Sequence, residues 1–345
     1  MPISVLDLAP IASGSTAGLA LRNSLDLAVR AEAWGFTRYW VAEHHNMPGI
    51  ASSAPPVLVG ALADATTTLR VGSGGVMLPN HAPLVVAEQF GMLEALHPGR
   101  IDLGLGRAPG TDQATARALR RAASALSDDD FPRQLGELLA FFRGSFPPDH
   151  PFAGIHAVPG QGDVPQIWLL GSSGFSAQVA GILGLPFAFA HHFSAANTLP
   201  ALELYRSRFE PFAVLAEPYA MVGVNVVCAD TDERARWLHG ASELSMVRLR
   251  IGRPQPFPTP EEAERYEYSD AERALVAAMD RAPVVGSPAT VGAGLDELLE
   301  RTGADELMVT TVTHGHGDRV RSYALLAELC GLGADHRPAV GASGA

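Results

Sequence analysis

Strand-like apolar runs alternate with helical patterns along almost the whole chain of 345 residues. Short apolar runs bounded by turn residues predict buried strands, and apolar residues three and four positions apart predict helices. Eight strands are predicted in this way, over residues 3–8, 39–42, 69–74, 101–105, 166–170, 187–190, 220–228 and 306–311. Eight alternating β and α units favour a (β/α)8 TIM barrel. The alternative is a doubly wound open sheet, but no G-x-G-x-x-G motif follows the first strand.

Two long gaps interrupt this alternation, at about residues 107–164 and 251–285. We interpret them as insertions after the fourth and seventh strands of a single domain that covers residues 1–332. Ordered loops of this length are often lids over a binding site, and the alternative for the second gap is a mobile charged excursion. The tail, 333–345, is expected to be disordered.

The composition argues against several classes of function. All 25 basic residues are arginine, so the chain cannot form a lysine Schiff base or supply a Walker lysine. The net charge of −12 argues against non-specific nucleic-acid binding. The two cysteines, Cys228 and Cys330, lie in no metal-binding or disulfide pattern. Because neither a signal peptide nor a run of 18 apolar residues is found, we expect a cytoplasmic protein with no membrane partner.

A polar cluster follows the second predicted strand. The sequence over residues 40–46 passes from apolar residues into Glu43, His44, His45 and Asn46. A (β/α)8 barrel delivers catalytic side chains to its C-terminal rim in this way, and histidine can transfer a proton near neutral pH. Adjacent strand residues point to opposite sides, so one histidine is expected to face the barrel mouth while the other packs sideways.

Two alternatives to a catalytic cluster stay open from these residues alone. A metal site would need further ligands such as Asp7 and His81, and no H-E-x-x-H motif supports one. The other alternative is a hydrogen-bonded histidine with a purely structural role. Because Glu43 and Asn46 flank the histidine pair, we favour a catalytic role and predict no metal.

Three glycines occupy four positions near the end of the third strand, at Gly72, Gly74 and Gly75. Bare backbone at a strand end allows a flat ligand to approach closely, or an unusual peptide geometry to form. The alternative is a plain loop, but the apolar residues that follow, 76–79, are not typical of one.

The next two strand ends carry groups that suit a phosphate. Arg107 follows the fourth strand, and Gly171, Ser172 and Ser173 join the fifth strand to a helix. An arginine fork and the free N–H groups of a helix N-terminus both bind phosphate. Taken alone, the serine segment is an ordinary turn with an N-cap. On adjacent strands, the two elements predict a phosphate pocket.

Together these segments resemble the bacterial luciferase-like flavin monooxygenase family, over residues 3–328. The similarity is to a small non-luminous branch that includes an uncharacterised enterobacterial protein. The segments that carry the resemblance are W-V-A-E-H-H at 40–45, the strand exit at 72–79, E-Q at 88–89, P-G-R-I-D-L-G-L-G-R at 98–107 and G-S-S at 171–173.

The resemblance implies a barrel that binds reduced FMN at its C-terminal rim, or in one branch of the family the deazaflavin F420. It assigns the catalytic role to His44, against the flavin, with His45 packed behind. Glu43, beside the histidine pair, is also predicted to be catalytic. It also implies a non-prolyl cis peptide between Gly74 and Gly75. The implied flavin-binding residues are Gly74, Gly75, Arg107, Gly171, Ser172 and Ser173.

The implied activity is the oxygenation of a small organic substrate by reduced FMN and O2, with a separate NAD(P)H:flavin reductase as partner. An F420-dependent oxidoreductase and a flavin-binding protein without turnover are the alternatives. Gly106 stands where light-emitting relatives carry a reactive cysteine, which argues against light emission. The substrate stays unassigned, because the two gaps that would wall its pocket match no pattern.

The resemblance also implies a homodimer. The helices after the second and third strands carry apolar residues for a shared face, and these are Val57, Leu58, Ala61, Leu62, Val86, Phe90 and Leu93. The alternative is that these side chains only cover the barrel.

Overall fold

The computed structural model describes residues 1–108, 110–119, 130–212 and 215–333. Its strands are β1 (Ile3–Asp7), β2 (Arg38–Val41), β3 (Arg70–Met77), β4 (Ile101–Gly106), β5 (Gln166–Gly171), β6 (Phe187–Phe189), β7 (Ala220–Cys228), β8 (Val284–Gly286) and β9 (Glu306–Thr310). Strands β1 to β7 pair in sequence, all in parallel, and β9 joins β7 to β1. The predicted (β/α)8 barrel is thereby confirmed, and the doubly wound open sheet is excluded.

The ninth strand, β8, was not predicted. It pairs in parallel with the end of β7, where Val226 lies opposite Val284, and it takes no place in the closed ring. A run of three residues at the end of a proline-rich gap is too short to show a strand pattern.

Helices cover the outside of the barrel. They are α1 (Ala17–Trp34), α2 (Pro55–Ala65), α3 (Pro83–Leu96), α4 (Gln113–Leu119), α5 (Phe131–Arg143), α6 (Gly174–Ile182), α7 (Thr198–Ser207), α8 (Asp232–Arg250), α9 (Pro260–Arg265), α10 (Asp270–Ala277), α11 (Pro288–Thr302) and α12 (His316–Leu329). Helix α1 shows how local chemistry sets the bounds, because Thr16 accepts the Leu19 N–H and Gly35 ends the helix at a φ of 88°. Among the described helices, none is long and apolar enough to cross a membrane.

The two predicted insertions contain helices of their own. The first holds α4 and α5, and the latter buries Leu138 and Phe142 while packing on α3. The second holds α9 and α10, and its Phe257 exchanges backbone hydrogen bonds with Ile11 and Ser13 beyond β1. This contact fixes the start of the second insertion against the barrel rim. Of the predicted tail, residues 334–345 lie outside the described part of the chain.

A buried ion-pair network fills the N-terminal end of the barrel. The Arg38 guanidinium lies 3.0 Å from a carboxylate oxygen of Asp102 and 3.0 Å from one of Glu306. Asp102 also accepts hydrogen bonds from Trp40 Nε1 at 2.9 Å and from Arg70 Nε at 3.0 Å. Both carboxylates are fully buried, and their charges are matched by arginines within the barrel. This polar floor leaves the C-terminal end as the open one.

Candidate active site

A cavity of about 400 Å3 opens at the C-terminal end of the barrel. Its walls are mainly apolar, with Leu6, Trp40 and Met308 at its base. A largely apolar cleft with a few convergent polar groups is the usual form of a cofactor or substrate site. The predicted residues that line it are His44, Gly74, Gly75, Arg107, Gly171, Ser172 and Ser173.

His44 lies in the wall of this cavity, whereas His45 is turned away from it. The Nδ1 atom of His44 is buried and has no hydrogen-bond partner among the described residues. Burial lowers the pKa of His44, against the opposing effect of the nearby Glu43 carboxylate. The imidazole is therefore neutral near pH 7, and it lines the cavity with its buried Nδ1 unpaired.

Glu43 is not among the residues that line the cavity, and its predicted catalytic role stays a prediction. Its fully buried carboxylate lies 2.9 Å from His45 Nε2 and 2.9 Å from His81 Nε2, and it accepts the Met77 N–H at 3.0 Å. Burial by itself raises the pKa of Glu43, but the hydrogen bonds from His81, His45 and Met77 outweigh it and lower the pKa. Glu43 thus ties the end of β2 to the end of β3.

The side chains considered for a metal have other partners. Asp7 forms a buried ion pair with Arg319 and accepts the Tyr39 hydroxyl at 2.5 Å, and His81 bonds to Glu43. The described residues contain no group of three or more acidic, histidine or cysteine side chains that could hold a metal ion.

The glycines at the end of β3 form a bare backbone wall. The Gly74–Gly75 peptide bond is cis, as the resemblance implied. A Cβ on Gly74 would lie 2.8 Å from Leu6 Cδ1, and one on Gly75 would lie 2.6 Å from the Gly104 carbonyl oxygen. Real Cβ contacts are longer than this, and at Gly75 the atoms in the way are backbone, so glycine is required there. Both glycines line the cavity, where they present bare backbone.

Arg107 lies beside the N-terminus of α6. Its guanidinium carbon is 4.5 Å from the ring centroid of Phe175, which belongs to the first turn of that helix. Within the described residues, no carboxylate forms an ion pair with Arg107. The preceding Ser172 and Ser173 are exposed, and the hydroxyl of the N-cap Ser173 makes no capping bond. A cation, two hydroxyls and free helix N–H groups therefore converge on one part of the cavity, as anion binding requires.

The opposite wall of the cavity was missed in the sequence. It is built from β7, α8, the loop after β6 and the segment after α10, and its polar residues are His192, Asn225, His239, Ser242, Ser245 and Arg281. Burial lowers the pKa of both His192 and His239 to about 4, so both rings are neutral at pH 7. The pair at 191–192 follows a strand as His44 and His45 do, and this signal was available in the sequence. His239 and Arg281 have no such local signal.

The fold is shared with solved structures that hold two different cofactors. The oxygenating constituent of 3,6-diketocamphane monooxygenase from a Pseudomonas putida plasmid, in complex with FMN, matches with a TM-score of 0.70 at 19% identity and covers 95% of this chain and 97% of its own. An F420-dependent secondary alcohol dehydrogenase in complex with an F420–acetone adduct matches with a TM-score of 0.67 at 14% identity, over 95% and 97%. At these identities the likeness concerns the fold alone.

Closer relatives share the sequence as well. A luciferase-like monooxygenase of Escherichia coli K12 is 50% identical over 94% of this chain and 96% of its own length, and the uncharacterized protein YvbT of Bacillus subtilis is 54% identical over 95% and 96%. The crystal structure of apo-MsnO8 matches with a TM-score of 0.88 at 37% identity, over 96% and 98%. The family model for luciferase-like monooxygenases matches residues 1–306. The chain therefore belongs to the luciferase-like monooxygenase family.

Proposed function

We propose that this protein is an FMN-dependent monooxygenase that oxidises a small organic substrate with O2. The observation that carries the proposal is the convergence, in one cavity, of a neutral histidine, a bare glycine wall and an anion-binding corner. These three elements are His44, the Gly74–Gly75 peptide and Arg107 beside α6. The glycine wall suits the flat ring of FMN, the anion-binding corner suits its terminal phosphate, and the histidine suits the proton transfer that the reaction needs.

The residues present fit the cofactor. Gly74 and Gly75 line the cavity, and the ring can lie against the backbone there because neither residue carries a side chain. The phosphate can bind Arg107 together with Ser172 and Ser173. When bound, reduced FMN supplies the two electrons with which one atom of O2 enters the substrate and the other becomes water.

His44 can serve as the proton-transfer group in this site. Its ring is neutral, it faces the cavity, and its buried Nδ1 is not held by another described side chain. A neutral imidazole can accept a proton from the bound reactants and return it. The apolar base formed by Leu6, Trp40 and Met308 excludes water from the reacting atoms.

The test is an anaerobic titration of the protein with FMNH2 and, separately, with reduced F420. We expect FMNH2 to bind more tightly, and its reoxidation after mixing with O2 to differ in rate from that of free FMNH2. Tighter binding of reduced F420, with reduction of a carbonyl substrate in the absence of O2, would support the F420-dependent alternative. Binding of FMN with reoxidation indistinguishable from free flavin would support a flavin-binding protein without turnover.

The reductase partner and the cytoplasmic location are also proposals. A separate NAD(P)H:flavin reductase is proposed because no G-x-G-x-x-G fingerprint of a dinucleotide site follows the first strand. Mixing NADPH and FMN with the purified chain should give no appreciable NADPH oxidation until a reductase is added. Rapid NADPH oxidation by the chain alone would contradict this.

A homodimer is proposed on a smaller set of residues than the sequence indicated. Leu58, Leu62, Val86, Phe90 and Leu93 are buried within the protein's own core, so they are not free for a partner. Val57 and Ala61 of the predicted set are exposed, and the other large exposed apolar side chains of α2 and α3 are Val85, Met92 and Leu96. Val57 is 77% and Leu96 67% exposed. Light scattering of the wild type and of the double variant Val57→Asp/Leu96→Asp should show a dimer and a monomer, respectively.

A further inference from the structure

The far wall of the cavity holds an arginine that no described acid neutralises. Arg281 follows α10 and lines the cavity across from the flavin-binding residues. Its Nε atom is buried and has no hydrogen-bond partner, and no ion pair joins it to a carboxylate within the described residues. The neighbouring residue Asp280 holds the segment that carries Arg281 in place. Its carboxylate accepts the Ala196 N–H at 3.1 Å and joins this segment to the loop after β6.

The charges around Arg281 leave it largely uncompensated. Glu243 on α8 is exposed and lies beyond ion-pair distance, although its field favours the charged arginine, while Arg250 adds positive charge. His239 and His192 are neutral, because burial lowers the pKa of each to about 4 and the positive charge of Arg281 acts in the same direction. This end of the cavity is therefore positive, with neutral hydrogen-bonding rings beside the cation.

A part-buried guanidinium without a partner costs free energy that a bound anion can recover. Its planar fork matches a carboxylate with two parallel hydrogen bonds. Apolar side chains also line the cavity on the side of Arg281, among them Met246, Leu249 and Phe257. The complementary molecule has an apolar body and a carboxylate at one end.

We propose that Arg281 binds the carboxylate of the substrate, so that the substrate class is an apolar carboxylic acid. The proposal rests on the proposed function, since it treats the remainder of the cavity as the flavin site. Phosphate is the other anion that the cavity would hold, and Arg107 beside α6 already provides its site. Arg281 is then a specificity-determining residue, and FMN affinity should not depend on it.

The test compares acids with their amides, which have nearly the same shape and no charge. Octanoate, octanamide, phenylacetate and phenylacetamide are titrated by calorimetry into the FMN-loaded wild type, Arg281→Gln and Arg236→Gln. Arg236 is the matched control, because it lies on the exposed side of α8 in a surface pair with Glu233. FMN affinity is measured on the same samples.

We expect the wild type and Arg236→Gln to bind at least one acid about tenfold or more tightly than its amide, as loss of a bidentate charged pair predicts. Arg281→Gln should lose that preference and keep its affinity for the amide and for FMN. Equal binding of acid and amide by the wild type, or no acid binding at millimolar concentration, would overturn the proposal. So would an unchanged acid preference in Arg281→Gln. A failure of the proposed function would appear differently, as absent FMN binding or unaltered FMNH2 reoxidation.

Discussion

Replacement of Arg107 by glutamine tests the phosphate corner most directly. The guanidinium lies over Phe175 at 4.5 Å, and no ion pair to it is formed within the described part of the chain. Its charge is therefore available to a ligand, and removing it should not leave a buried acid unpaired. The fold should be retained, and the loss should be confined to molecules that carry a phosphate.

The size of the effect follows from the bonds that would be lost. Hydrogen bonds to a charged group contribute about 1.5–3 kcal/mol net, so their loss should raise the dissociation constant for FMN roughly tenfold to hundredfold. Because Ser172 and Ser173 are exposed, water and salt screen this corner, and the lower half of that range is expected. The difference between wild type and variant should shrink further as salt is added.

The assay is flavin fluorescence quenching with FMN and with riboflavin, which has the same ring and no phosphate. Arg107→Gln should weaken FMN binding and leave riboflavin binding nearly unchanged. The matched control is Arg133→Gln, which removes the same charge from the exposed face of α5, where Arg133 pairs with Glu137. Equal weakening of both flavins, or an unchanged FMN affinity, would refute the assignment of Arg107 to the phosphate.

Three further substitutions test the surrounding structure. Glu43→Gln should lower the free energy of unfolding in urea by about 2–4 kcal/mol, whereas the exposed control Glu233→Gln should not. The pKa of Glu43 in the folded protein is below 4.5, so the ionised carboxylate stabilises the fold above pH 4.5, and this stabilisation is lost as the pH falls through the folded pKa. In Glu43→Gln the free energy of unfolding should lose this dependence on acid pH. His44→Gln should keep FMN affinity and slow oxygenation by about a hundredfold or more. In the wild type the oxygenation rate should fall only as the pH drops below 6.5, because the folded pKa of His44 is lowered. If the same fall in rate at low pH persists in His44→Gln, the proton-transfer role of His44 is contradicted. Arg319→Met should cost about 3–5 kcal/mol in the same urea assay by leaving the buried Asp7 carboxylate unpaired, and a second change, Asp7→Asn, should restore part of that loss.

The barrel was predictable because its strands are buried on both faces. Such strands are mostly apolar, and every or nearly every residue of β1, β4 and β7 is buried, including the polar Asp7 and Asp102. The polar floor was not predictable, although Arg38, Asp102 and Glu306 are plain in the sequence. Arg38 lies more than 60 positions from each of its two partners in the sequence. They meet because of the register in which the strands of the closed sheet pair, and a local sequence pattern does not reveal that register.

The sequence could predict which strand end each rim residue follows, but not the direction in which each side chain points. Strand β2 ends at Val41, and the backbone then leaves the extended form, so strict alternation does not decide which of the four polar residues at 43–46 faces the cavity. The structure turns His44 into the cavity and draws Glu43 back onto His81 and the Met77 N–H. These partners belong to the end of β3, which the sequence separates from Glu43 by more than 30 residues.

The end of the cavity that holds His239 and Arg281, where we propose that the substrate binds, is formed by contacts between residues still further apart in the sequence. His239 lies mid-helix in α8, and Arg281 lies in an irregular segment after α10, so neither occupies a strand end where a barrel presents catalytic groups. They meet only because the chain between β7 and β8 folds back across the barrel mouth, where Phe257 and Asp280 tie it to the loops after β1 and β6. Cofactor-binding groups sit on strand ends and helix N-termini, whose positions follow from the fold class. The substrate-binding groups proposed here lie on an insertion, and the fold class does not determine where that insertion packs. For this reason the sequence could predict a flat phosphorylated cofactor, whereas the proposed carboxylate site required the structure.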